Sequence, residues 1–96
     1  MKIHINGDVV RSEMDFHREL ASALGVESFY GFNLDALWDL LSSSVERPVF
    51  LMWINAGVSR KYMGKSYFEI VDILERVKIQ DERFGWNDKF TYKIDL

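Results

Sequence analysis

The chain has 96 residues, the length of one domain, and its hydrophobic fraction of 48% is enough for a single core and too high for a disordered protein. It contains no cysteine, which excludes disulfides, thiolate catalysis and cysteine zinc sites. The formal charge is only −3, from 12 Lys and Arg against 15 Asp and Glu, so the distribution of charge is more informative than its sum.

The first part of the chain predicts a strand followed by a helix. "KIHI", residues 2–5, alternates polar and apolar side chains and runs into an Asn-Gly turn. Ser12, with an acid three residues later, resembles a helix-capping box, and Gly25 is a natural stop. We therefore predict a first helix over residues 13–24. Its apolar stripe is formed by Phe16, Leu20, Ala23 and Leu24.

A second helix is predicted after a loop at residues 26–32. Asn33 is a favourable N-cap, and apolar side chains then recur at helical spacing and form one stripe. Asp35 and Asp39 are four residues apart and share a different face, and the serines at 42–44 end the helix. The stripe consists of Leu34, Leu37, Trp38 and Leu41.

The second half of the chain predicts strand, helix and strand. "VFLMWI", residues 49–54, is apolar throughout, which is typical of a central strand. We expect a polar connection at residues 55–65 with room for a short helical turn. Ser66 then begins a capping-box pattern for a third long helix, a loop follows at 80–88, and residues 90–96 alternate as the last strand. The inner stripe of the third helix is Tyr67, Ile70, Val71, Leu74 and Val77.

The predicted element order is strand, helix, helix, strand, helix, strand. Long helical crossovers imply parallel pairing and right-handed connections. We predict a two-layer α/β fold in which helices cover one side of a three-stranded parallel sheet of order 1-2-3. Residues 1–96 are expected to form a single domain, because no linker, repeat or low-complexity tract interrupts them.

No segment predicts export or membrane insertion. The N-terminus lacks the apolar run and cleavage site of a signal peptide, and "PVFLMWI" is far too short to cross a bilayer. We therefore expect a soluble, cytoplasmic protein.

Acidic residues are concentrated in the middle of the chain. Residues 27–46 include four acids and no Lys or Arg, whereas a small basic cluster at 60–65 is expected to be solvated loop charge. An acidic face repels phosphate backbones and attracts cationic partners, so direct nucleic-acid binding is not expected there. His4 and His17 are isolated in sequence, which favours surface or hydrogen-bonded imidazoles over catalytic ones.

The segment "FYGFNLDALWD", residues 29–39, resembles the signature of the barstar family of intracellular ribonuclease inhibitors. Ten of its eleven positions match, and Phe29 stands where the family has Tyr. The resemblance extends to "ING" with the following "RS", to Pro48 before the central strand and to Trp53 within it. It covers residues 1–53 well, and beyond them only the order of elements matches. A match of this length with several rare residue types is a specific signal.

The resemblance implies a barstar-like fold and an inhibitor without catalysis, cofactor or metal. Members of the family place the second helix and the preceding loop in a ribonuclease active site, where the aspartate at the Asp39 position takes the place of a substrate phosphate. The implied partner is a barnase-type or other toxin ribonuclease. The implied role is that of an antitoxin or immunity protein, which is expected to be a monomer when free. The implied partner-binding residues are Phe29, Tyr30, Asn33, Asp35, Trp38, Asp39, Ser42, Ser43, Glu46 and Glu75.

This chain departs from the family pattern at three places. Phe29 cannot donate the hydrogen bond of the family Tyr, and Ser44 ends a Ser-Ser-Ser run where the family has Thr-Gly-Trp, so a large aromatic contact is missing. Glu75 is the nearest candidate for a contacting glutamate on the last long helix. These departures bear on which ribonuclease is bound more than on how it is bound.

The pairing of Asp35 with Asp39 has a physical reason if the partner is a ribonuclease. An enzyme that holds a phosphodiester gathers Arg, Lys and His, and a carboxylate offers Arg two acceptor oxygens, as a phosphate does. One helical turn holds two such groups with their Cβ atoms about 5–6 Å apart, and the like charges destabilise the free helix by only a few tenths of a kcal/mol. Asp35 also lies near the helix start, where an acid stabilises the macrodipole.

Two other classes of function stay open from the residues alone. The paired carboxylates could hold Mg²⁺ or supply a general base for a phosphodiesterase, although no nearby His, Lys or Arg completes a catalytic set. The chain could instead be an interaction module for a different toxin or protein partner, or a homodimer formed through Phe32 and Trp38. Hydrolysis assays with Mg²⁺ and light scattering of the free protein separate these alternatives.

Overall fold

Three parallel strands form the centre of the fold in a computed structural model that describes residues 1–96. The strands are β1 (Lys2–Asn6), β2 (Val49–Ile54) and β3 (Phe90–Ile94), in the spatial order β1-β2-β3. Both pairings are parallel, with Leu51 of β2 between Ile3 and Tyr92 of its neighbours. The predicted α/β architecture, sheet order and central position of β2 are therefore confirmed.

Four helices connect the strands. They are α1 (Glu13–Leu24), α2 (Leu34–Asp39), α3 (Ala56–Met63) and α4 (Lys65–Phe84). A 3-10 turn (Gly7–Val9) follows β1, and α2 continues into a π-helical turn (Leu40–Ser44). None of the four helices combines the length and the apolar character needed to cross a membrane.

The core lies between one face of the sheet and the helices. Along β2, alternate residues are buried and half-buried, so the helices cover one face and leave the other partly open to water. The Trp53 and Phe16 rings meet at the centre, with their centroids 4.9 Å apart. Each large apolar side chain that is fully buried stabilises the fold by about 1.5–3 kcal/mol. The largest such side chains also include Phe90, Leu20, Leu37, Leu41 and Leu74.

The predicted boundaries of α1 are confirmed by their capping bonds. The Ser12 hydroxyl accepts a hydrogen bond from the Asp15 amide at 3.1 Å, and the Asp15 carboxylate accepts one from the Arg11 amide at 3.1 Å. At the other end Gly25 has a φ of 68°, a left-handed conformation that glycine adopts without steric cost.

Residues 55–65 were predicted to be a polar connection with room for a short helical turn, and the structure has the eight-residue helix α3 there. Its buried face is small and partly polar, because Ser59 lies among the core residues. The Ser59 hydroxyl accepts from the Trp53 indole N–H and donates to the Gly7 carbonyl, each at 3.1 Å. A Cβ at Gly7 would lie 2.0 Å from the Asn55 carbonyl oxygen, so only glycine lets the end of β1 approach the start of α3 this closely.

The helix α4 differs from its prediction at both ends. It starts at Lys65 after Gly64, so the capping box predicted at Ser66 is wrong, and the Ser66 hydroxyl donates instead to the Met63 carbonyl at 3.1 Å. The helix also continues to Phe84, through residues that were predicted to be a loop.

Candidate functional site

The two aspartates of α2 are both exposed to solvent. Neither Asp35 nor Asp39 takes part in any of the ion pairs within the protein. Asp35 lies in the first turn of the helix, where its charge stabilises the macrodipole. Asp39 lies one turn later. The surface of α2 therefore presents two free carboxylates to a partner, and we refer to this pair as the acidic face.

Local contacts fix α2 in place despite its short length. The Asn33 side-chain oxygen accepts a hydrogen bond from the Ala36 amide at 2.8 Å, which confirms the predicted N-cap. Leu37 and Leu41 are fully buried, as the predicted stripe requires, and Leu40 is buried as well. The helix is thus held from its start and from its inner side, and the acidic face is fixed relative to the core.

The loop before α2 is tied to α1 by a buried polar chain. The Tyr30 hydroxyl lies 2.6 Å from His17 Nδ1, and His17 Nε2 lies 2.9 Å from a Glu13 carboxylate oxygen. Burial, followed by the nearby charge of Glu13, raises the pKa of Tyr30, so its hydroxyl stays protonated and available as a donor. His17 is therefore a hydrogen-bonded core imidazole. Tyr30 is buried beneath the loop before α2, and its hydroxyl is bonded to His17 instead of being free for a partner.

Phe29 projects from this loop and is 70% exposed. It borders a hollow of about 300 Å³ that also includes Asp39 and Ser44. Phe32 has a φ of 53°, which is costly for a side chain of this size, and its ring centroid lies 5.2 Å from that of Tyr30. The exposed Phe29 ring therefore lies beside Asp39 of the acidic face.

Ser42 and Ser43 lie in the π-helical turn after α2, and hydrogen bonds link this turn to α2 and to α4. The Ser43 hydroxyl donates to the Asp39 carbonyl at 2.8 Å, and the Gln80 side chain donates to the Ser42 carbonyl at 3.1 Å. Glu46, two residues after the π-helical turn, is exposed. The structure therefore brings the two serines into contact with α2 and α4, with Glu46 at the margin.

The structure does not bring Glu75 to the acidic face. Its carboxylate accepts a hydrogen bond from the Tyr92 hydroxyl at 2.7 Å, beside β3. Burial, followed by this contact with Glu75, raises the pKa of Tyr92, which keeps the donor protonated. The next residue, Arg76, lies against α2 instead, with its guanidinium carbon 4.8 Å from the centroid of the Trp38 ring.

Two acids near the acidic face were missed by sequence reasoning. Glu69 and Asp72 share with Asp35 a groove of about 280 Å³ between α2 and α4. Asp72 also lies 4.0 Å from Arg76 in a weak, exposed ion pair. The spacing of Glu69, Asp72 and Arg76 places them on one side of a helix. Spacing alone does not reveal that this side packs near α2.

A buried ion pair behind the serines was also missed. The Arg47 guanidinium donates to Asp81 at 2.8 and 3.1 Å, and the Phe90 amide donates to the same carboxylate at 2.7 Å. Burial alone would raise the pKa of Asp81, but these bonds and a further one from Gln80 hold it below its ordinary value. The sequence did contain one indication that Asp81 is buried: it follows Val77, a residue of the inner stripe, by four positions and so lies on the same side of the helix.

These features define a small two-layer α/β domain in which the short helix α2 carries two exposed, unpaired carboxylates beside an exposed Phe. No three His, Asp or Glu side chains are arranged as ligands for one metal ion. The fold is that of a barstar-like domain, as the resemblance of residues 29–39 implies.

Comparison with known proteins agrees with this class. The family model described as "Barstar (barnase inhibitor)" matches residues 1–93. A protein of Bacillus subtilis (strain 168) named "Putative ribonuclease inhibitor YrdF" is 30% identical over 83 residues, which is 84% of this chain and 91% of that protein. The chain therefore belongs to the barstar family, and the resemblance carried by residues 29–39 is confirmed.

Proposed function

We propose that this protein inhibits a barnase-type ribonuclease by docking α2 into the RNA-binding cleft of the enzyme. The observation that carries the proposal is the exposure of Asp35 and Asp39, one turn apart, with neither engaged by a cation of the protein itself. The description of the family as a barnase inhibitor and the name of the B. subtilis relative support the inhibitor role.

The inhibitory mechanism follows from charge and rigidity. A cleft that binds RNA holds Arg, Lys or His side chains at the positions of the phosphates, and Asp39 would accept their hydrogen bonds as a phosphate does. Asp35 would do so at a neighbouring position. Because Asn33 and the buried leucines already fix α2, little conformational freedom is lost on binding. The unpaired negative charge also accelerates encounter with a basic enzyme, most strongly at low salt.

The proposed cellular role is that of an antitoxin or immunity protein. The inhibitor would be cytoplasmic and monomeric when free, and would meet the nuclease before it damages cellular RNA. The absence of cysteine is compatible with a reducing compartment. The acidic face would bind the enzyme rather than nucleic acid, because it repels phosphate.

A titration of a purified barnase-type ribonuclease tests this proposal. We expect the wild-type protein to abolish RNA cleavage at a one-to-one ratio. Removing one partner of a buried charge pair at an interface costs about 2–5 kcal/mol, so Asp39→Ala should weaken inhibition at least ~30-fold. Asp95→Ala removes the same charge from an exposed site beside the start of α3 and should inhibit as the wild type does.

Salt provides a second test of the same mechanism. Raising the ionic strength from low values to about 0.5 M should weaken wild-type inhibition more than that of Asp39→Ala, because screening removes an attraction that the variant has partly lost. Full inhibition by Asp39→Ala, or none by the wild type, would refute the proposal.

A further inference from the structure

Two large aromatic side chains stand exposed where α4 ends. Phe84 is 61% exposed and Trp86 is 42% exposed, and their ring centroids lie 5.1 Å apart. Gly85 between them has a φ of 69°, which ends the helix and turns the chain. Exposed Trp and Phe side chains that stand together are typical of protein-binding surfaces.

Trp86 borders a groove that also reaches the end of α2. The groove has a volume of about 470 Å³. Its lining is Ser42, Ser43, Val45, Arg47, Trp86, Asn87 and Asp88. Ser43 donates to the Asp39 carbonyl, so the groove begins one helical turn from the acidic face. A partner that covers Asp39 and has a standard footprint of about 800 Å² would reach this groove as well.

One side of the Trp86 ring faces Arg47. The Arg47 guanidinium carbon lies 5.7 Å from its centroid, and Arg47 is itself fixed by the buried carboxylate of Asp81 at 2.8 Å. Because Asp81 neutralises Arg47, Asp88 supplies the unpaired charge of the groove. An exposed aromatic ring beside an exposed carboxylate fits a cationic side chain, which can stack on the ring and bond to the acid.

We propose that Trp86 is a second anchor for the same ribonuclease and stacks on an Arg or Lys side chain at the rim of the basic cleft. This inference rests on the proposed function. It gives the chain an aromatic contact on the α4 side of the serine run, although Ser44 replaces the aromatic residue of the family pattern. It also predicts that this inhibitor prefers ribonucleases with a basic residue at that rim.

The experiment measures the affinity of a catalytically inactive barnase-type ribonuclease for five forms of the inhibitor at one ionic strength: the wild type, Asp39→Ala and the three variants below. An aromatic anchor costs 2 kcal/mol or more on truncation, so Trp86→Ala should bind about 30-fold or more weakly. Trp86→Phe keeps a ring and should recover most of the affinity. Phe68→Ala removes an aromatic side chain that is 60% exposed near the start of α4, and should bind as the wild type does.

A measurement on the wild-type protein avoids any effect of the substitution on folding. A soluble paramagnetic agent should broaden the NMR signal of the Trp86 indole N–H in the free protein, and bound ribonuclease should protect it. The disappearance of this signal in Trp86→Phe assigns it.

The outcomes separate this inference from the proposed function. If Asp39→Ala loses affinity while Trp86→Ala does not, or if the indole stays accessible in the complex, the second anchor is refuted and α2 docking stands. If the wild-type protein does not bind the ribonuclease at all, both are refuted.

Discussion

Arg76 introduces a positive charge beside an otherwise acidic surface. Its guanidinium lies over the Trp38 ring and within 4.0 Å of Asp72. Both contacts are exposed and each is worth only about 0–1 kcal/mol. For the proposed binding to a ribonuclease the charge itself matters more, because it reduces the negative potential around Asp35 and Asp39.

Reversing this charge should therefore strengthen inhibition of a basic ribonuclease. We expect Arg76→Glu to bind about 5- to 10-fold more tightly at low salt, mainly through faster association. Stopped-flow measurement of the association rate provides the test. Lys93→Glu makes the same change in net charge on the sheet face that lies away from the helices, and should have a much smaller effect. Equal effects of the two variants would show that only net charge matters.

Single residues differ in how far the sequence reveals their role. Asp35 and Asp39 could be predicted as candidate binding residues because their spacing is local to one helix and the signature around them is specific, and their role in binding stays a prediction. Glu75 was expected at this surface, but one residue along a helix rotates the side chain by about 100°, and Arg76 occupies that side instead. Trp86 belongs to a distant segment, and nothing in the local sequence indicates which surface it joins.

The helix α2 depends on its surroundings, because it has only six residues before the π-helical turn. Helices shorter than about 12–15 residues are marginal in isolation. The Asn33 cap and the buried Leu37 and Leu41 supply the stability that a helix of this length lacks in isolation.

Loss of the cap should be measurable as a loss of stability. We expect Asn33→Ala to lower the free energy of unfolding by about 1 kcal/mol and Tm by roughly 4–8 °C, because the Ala36 amide loses its acceptor. Asn33→Asp keeps an acceptor oxygen and should retain most of the stability. Thermal unfolding followed by circular dichroism compares the variants, and equal losses in both would argue against the cap.

Whole elements were predictable where their periodicity was clean. The strands, α1 and the start of α2 follow from alternation, apolar spacing and capping residues. Only a short helical turn was predicted where α3 lies, because its inner face includes the hydroxyl of Ser59, which is acceptable in the core only through its bonds to Trp53 and Gly7. The last turn of α4 was missed because Asp81 is typical of loops, and only its distant partner Arg47 permits its burial.

At the scale of the whole molecule, the pair of Arg47 and Asp81 connects parts that are far apart in sequence. Arg47 also donates to the Val45 carbonyl at 2.8 Å, and Asp81 accepts from the Phe90 amide at 2.7 Å. The pair therefore joins the segment after α2, the helix α4 and the first residue of β3. Breaking a buried pair by removing one partner typically costs about 3–5 kcal/mol.

This pair predicts a specific loss of stability in acid. The pKa of Asp81 is lower in the folded protein than its ordinary value, so near and below about pH 4 the unfolded chain binds this proton more readily. The stabilisation is complete above the unfolded pKa and is lost as the pH falls through the folded one.

Urea unfolding of the wild type between pH 7 and pH 3 should therefore show a decline that Asp81→Asn largely lacks. The variant should also be less stable at pH 7, where the wild-type carboxylate is charged. Asp95→Asn changes an exposed residue and should keep the wild-type slope. Parallel curves for the wild type and Asp81→Asn would contradict this role of the buried pair.

The bond between Asp81 and the Phe90 amide also has a consequence for biosynthesis. A ribosome releases the chain from its N-terminus, so α2 emerges well before the residues that secure the segment behind it. The bond that secures the segment behind α2 can form only after residue 90 has left the ribosome. Copies of the chain that end before β3 would therefore lack the bond behind the proposed binding surface.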